Sequence, residues 1–91
     1  MMKLVCAILS DADANRVVEA VVQAGYPGPT RINTVGGFLR RGNVTLLLGV
    51  EDTQVNGALE LVRSVVEARP VVQGARRATI FVLDTARVVR F

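Results

Sequence analysis

Gly36-Gly37-Phe38-Leu39-Arg40-Arg41-Gly42-Asn43 runs straight into Val44-Thr45-Leu46-Leu47-Leu48-Gly49-Val50. The second part is an apolar run of strand length between Asn43 and Glu51. The first holds a glycine pair and a Gly-Asn pair, residue types that let a chain reverse. Thr30 to Val35, a looser alternation, comes just before it. Two strands joined through this segment, with a helical pattern on either side of the pair, decide the fold. The segment is longer than the roughly two to five residues of a plain hairpin. Its arginines carry forked donors suited to phosphate or carboxylate, and its glycines let a ligand approach the main chain. Composition leaves a ligand-binding loop and a solvated turn both open.

Working outward, Lys3 to Leu9 is a nearly continuous apolar run, expected to be a central strand. Ser10 or Asp11 is placed to cap the helix that follows, and Asp13 suits the positive end of its dipole. Ala14, Val17, Val18, Val21 and Val22 form one helical stripe, and Gly25 closes it as the residue after the C-cap. Tyr26-Pro27-Gly28-Pro29 cannot continue a helix. Arg31 and Asn33 fall on one polar face of the edge-type strand that follows. Gly49 inside its strand marks a place where a ligand or another backbone comes close. Glu51-Asp52-Thr53 opens a second helix, with Asp52 expected as its cap. Val55, Ala58, Leu59, Val62, Val65 and Val66 form its stripe, and Pro70 ends it. Gly57 weakens that helix by up to about 1 kcal/mol relative to alanine unless something packs there. After a short link, Val71 to Arg77, the last full strand is Ala78 to Asp84. The tail, Thr85 to Phe91, is expected to add a small strand or a docked terminus.

The order is strand, helix, strand, strand, helix, strand. Right-handed crossovers then give an α+β, ferredoxin-like βαββαβ domain spanning residues 1–91. Its four-stranded antiparallel sheet carries both helices on one face, with the first and third strands central. A chain of 91 residues has nothing left to cover the other face. A homo-oligomer packed through sheet faces or edges is the economical answer.

The chain carries 11 basic and 8 acidic residues, and ten of the 11 are arginine. The arginines are spread along it, which permits an anionic ligand without demanding a nucleic acid. RNA binding is further disfavoured by the lack of an aromatic-rich strand motif. No apolar run reaches membrane-spanning length, so no membrane insertion is expected and the cytoplasm is the default. The single cysteine, Cys6, forms no disulfide framework and reads as a small buried hydrophobe.

With no histidine, a Ser-His or Cys-His nucleophile system cannot be assembled, and imidazole or multi-thiolate metal sites are out of reach. Asp11, Asp13, Glu51 and Asp52 sit where helix starts need them. Acylphosphatases, enzymes on this fold, use a Gly-x-Val-Gln-Gly loop that has no counterpart here. The expectation is a protein that is not an enzyme and needs no cofactor or metal. Nucleotide binding suits the residues better. Asn43 offers a donor and an acceptor to a base edge, Phe38 a stacking surface, and the glycine-rich backbone N–H groups a phosphate cradle.

At these residues the sequence resembles the cyclic di-AMP receptors, PII-like signal-transduction proteins. The resemblance rests on Lys3-Leu4, Asp13-x-Asn15-Arg16, and Thr34-x-Gly36-Gly37-Phe38-Leu39-Arg40-x-Gly42-Asn43-x-Thr45. It continues through Gly49-Val50-Glu51-Asp52-x-Gln54-Val55, Ala78 to Leu83, and a terminal Phe91. It implies a homotrimer with cyclic di-AMP, or a related adenine nucleotide, in clefts between subunits, and a protein effector downstream. The ligand contacts it implies are Thr30, Gly37, Phe38, Leu39, Asn43, Gly49 and Phe81. Two departures stand out. The family's Asn-x-Arg segment after the first helix is replaced by Gly25-Tyr26-Pro27-Gly28-Pro29, which removes a phosphate-facing arginine. Arg31 comes later, placed either to substitute for it or to point elsewhere. The family's long polar loop before the last strand is cut to Pro70–Arg77, where Arg76 and Arg77 are either an anion contact or solvated charges.

Overall fold

The computed structural model describes residues 1–33, 43–68 and 78–91. The elements are β1 (Met2–Ser10), α1 (Asp11–Gln23), β2 (Thr30–Asn33), β3 (Asn43–Glu51), α2 (Val55–Glu67) and β4 (Ala78–Asp84), with a 3₁₀ turn, Asp52–Gln54, leading into α2. The strands lie in the order β2-β3-β1-β4, all neighbours antiparallel. This is the expected ferredoxin-like sheet, with the two most apolar strands central.

Side-chain parity follows from the register. Val5, Ala7 and Leu9 of β1 stand opposite Leu48, Leu46 and Val44 of β3, and all six are buried. They pack with Ala14, Val17 and Val21 of α1 and with Ala58, Val62 and Val66 of α2. Both helices therefore cover the same face. At about 25 cal/mol per Å² of apolar surface, burial of this layer is the main stabilising term. Lys3, at its rim, ties β4 to the start of α2 through ion pairs to Asp84 and Asp52.

The helix ends show how local chemistry sets boundaries. The Asp13 N–H donates to Ser10 Oγ at 3.2 Å, so Ser10 is the cap of α1. At the other end Gly25 adopts φ +90°, Tyr26 N–H donates to Val21 O at 3.0 Å, and Gly25 N–H donates to Val22 O at 3.1 Å. That is a Schellman closure, and the left-handed φ explains the glycine. Gly57 is explained by its neighbour, because a Cβ there would collide with the Tyr26 hydroxyl. The condition attached to its helix penalty is met.

Some expectations need correction. Asp52 does not cap the second helix. Glu51 caps the 3₁₀ turn that leads into it, in a capping box where its N–H donates to Gln54 Oε1 at 2.9 Å; Asp52 is the first residue of that turn, and α2 itself starts after Gln54 with no side-chain cap bond. Val22 is exposed rather than buried. At about 100° per residue it lies about 80° round from Ala14, on the rim of the stripe. Residues 85–91 form no strand. Thr85 Oγ1 donates to the Met2 carbonyl at 2.8 Å, but beyond it Val88, Val89 and Phe91 are exposed, so the terminus does not dock on the described residues either. Cys6 is half-buried, on the face opposite the helices, not a core residue.

Candidate functional site

The same parity that buries one face defines the other. Leu4, Cys6 and Ile8 of β1, Thr45, Leu47 and Gly49 of β3, Thr30 and Ile32 of β2, and Thr79, Phe81 and Leu83 of β4 point away from the helices. No described helix lies on this face. Its apolar members are half-buried at most, and Phe81 and Leu83 are 46 % and 48 % exposed. A contiguous apolar surface of this kind marks a contact site.

Of the seven residues expected to touch a ligand, Gly37, Phe38 and Leu39 lie outside the described residues, as do Arg76 and Arg77. The other four, Thr30, Asn43, Gly49 and Phe81, all stand on the open face. They do not converge on one point. Thr30, Leu47, Cys6 and Phe81 make one row across all four strands, so three strand spacings separate Thr30 from Phe81, about 14 Å. Asn43, opposite Ser10, and Gly49, opposite Leu4, are six residues apart on β3, about 20 Å. No single base reaches both ends of that spread within one subunit.

Gly49 is not required by its own subunit. A Cβ there would meet only Met2 Cε at 3.5 Å, an ordinary contact. Leu47 and Cys6, which lie between Thr30 and Phe81 in their row, carry no motif. Their signal was the odd–even parity of β3 and β1.

Arg31 is the clearest negative. Its register partner is Leu46, a core residue, so it projects to the helix side. There it pairs with Asp11, donates from Nη1 to Asn15 Oδ1 at 2.6 Å, and reaches Asn33 Oδ1 at 3.5 Å. Of the two directions left open for Arg31, the structure shows the second: it points to the helix side and is committed to the start of α1. Lys3 is also engaged, and its hydrogen bond to Asp84 holds its pKa above the ordinary lysine value. Among the described residues no cluster of metal-ligating side chains occurs, and no helix is long and apolar enough to cross a membrane.

These features define a ferredoxin-like α+β domain with both helices on one sheet face and the other face bare of described helices. The sequence profile of the cyclic-di-AMP receptor family matches residues 2–79, and the chain belongs to that family. Phe81 lies beyond the matched span. The chain is also similar to the crystal structure of a functionally unknown protein from Pediococcus pentosaceus. The two share 31 % identity over 99 % of this chain and 97 % of that one, with a TM-score of 0.80.

Proposed function

We infer that this protein is a PII-like signalling protein that binds cyclic di-AMP, or a related adenine nucleotide, between subunits of a homotrimer without catalysing a reaction. The observation that carries this reading is the placement of Thr30, Asn43, Gly49 and Phe81 on one open, largely apolar sheet face. Their spread is too wide for one pocket within a subunit and suits clefts completed by neighbouring copies. Family membership supplies the ligand class. The role of each residue follows from its chemistry. Asn43 reads a base edge through its amide, Thr30 donates or accepts through its hydroxyl, and Gly49 admits a ring against the strand. Phe81 supplies an apolar wall. A cytoplasmic setting follows from the nucleotide, and a protein effector would read the trimer.

Thermal melts with and without cyclic di-AMP test the reading. Ligand at 100 times its Kd adds about 2.7 kcal/mol of stability. No shift at millimolar nucleotide sinks it.

A second reading is favoured by one observation, the engagement of Arg31 with Asp11 and Asn15. With the phosphate-facing arginine gone and Arg31 turned away, a structural or adaptor trimer that has lost nucleotide sensing fits. Asn43→Ala separates the two, weakening nucleotide binding under the first and changing nothing measurable under the second.

A further inference from the structure

We propose that Arg31 is a positioning residue, fixing the edge strand that presents Thr30 rather than touching the nucleotide itself. This rests on the nucleotide-binding reading above and adds to it a determinant of the site's geometry. β2 is four residues long, every one of them exposed, and it has β3 as its one strand neighbour. So short an edge strand has no buried side chain to hold it to the helical layer. The link before it is anchored. Tyr26 packs against Gly57 of α2, and Pro29 closes a small apolar gap lined by Val17, Val21, Leu46 and Val62.

Within the strand, the hold on the helices is Arg31. Its guanidinium meets Asp11 and Asn15, one helical turn apart on α1, while Asn33 of β2 accepts from its Nε. A planar fork satisfying three oxygens in fixed directions defines the strand's position as well as its attachment. Thr30 is the adjacent residue, on the opposite face by parity. Any shift of β2 relative to α1 therefore moves Thr30 on the open face. Asp11 and Asn15 have a second function beyond helix formation. They are the receiving half of this tie.

The test is a charge swap read by cyclic di-AMP affinity, with amide hydrogen exchange alongside. Arg31→Asp and Asp11→Arg alone should each weaken binding by up to about fivefold, the upper end of the scale of an exposed ion pair. The double variant should recover most of that loss, and Arg31→Lys should fall between. Recovery separates positioning from contact, because aspartate at position 31 repels a phosphate wherever its partner is. If Arg31→Ala binds as tightly as the parent, or if the double variant stays as weak as Arg31→Asp alone, the proposal is overturned. Should the parent chain not bind cyclic di-AMP at all, the functional reading fails separately. The exchange data then decide: Arg31→Ala must accelerate exchange in residues 30–33 while leaving the β1–β3 pairing protected, and unchanged exchange in β2 overturns the positioning role.

Discussion

Thr30 and Phe81 stand at the two ends of a single row across the sheet, with Leu47 and Cys6 between them. The middle of that row is apolar and faces away from the helices. In the proposed trimer this face is where a neighbouring copy would pack. Leu47→Lys should leave the helix-side core untouched and place a charge at the centre of that proposed contact. Sedimentation equilibrium is expected to show a folded monomer in place of a trimer, with the far-UV circular dichroism retained. A trimer that persists unchanged would remove the open face from the interface.

Gly57 and Tyr26 make a second, independent test. In an exposed helix Gly→Ala stabilises by up to about 1 kcal/mol. Here the added methyl meets the Tyr26 hydroxyl, so Gly57→Ala in the parent should destabilise by about 1 kcal/mol. Removing the hydroxyl with Tyr26→Phe should reverse the sign, because the nearest ring carbon would lie 3.7 Å from the added methyl, an ordinary contact distance. Urea denaturation of the four members of this cycle measures the coupling. Additive effects would mean that the contact carries no weight.

How far the sequence could be read follows from the same physics. The sheet order and both helical stripes were legible because strong periodicity leaves only one face to bury: Val44, Leu46, Leu48 and Val50 alternate on β3, and Ala58, Val62 and Val66 recur on α2. The cap of the turn leading into α2 was harder, since Glu51 and Asp52 are adjacent and both able to cap. The Glu51-x-x-Gln54 spacing was the clue. The direction of Arg31 was not legible from composition. On a four-residue strand one step of register decides the face, and only the pairing of Arg31 with Leu46 fixes it. The tail misled in the usual way of β-branched residues: Val88 and Val89 favour strand by type, yet residues 85–91 form none and both valines stay exposed. The candidate site was half legible. Its open face follows from parity, whereas the distances that separate Thr30, Asn43, Gly49 and Phe81 follow only from the register of the strands.

Lys3 gives a pH test with a defined sign. The Asp84 hydrogen bond, foremost, raises its pKa in the folded state above the ordinary value. A raised cation pKa means the folded state holds the proton more tightly. The stabilisation is then complete below the ordinary lysine value, about 10.4, and is lost as pH rises through the folded value. Compared with Lys3→Met, the parent's Tm advantage should be constant between about pH 8 and pH 10 and shrink above that. An advantage that survives at about pH 12 would assign it to packing of the lysine stem instead.

The most direct test of the central claim is a calorimetric titration of the intact chain with cyclic di-AMP, run beside Asn43→Ala. The account predicts saturable binding with one ligand per subunit, weakened at least tenfold, or about 1.4 kcal/mol, by the loss of the Asn43 amide. No saturable heat at millimolar cyclic di-AMP, or equal binding by Asn43→Ala, would contradict it.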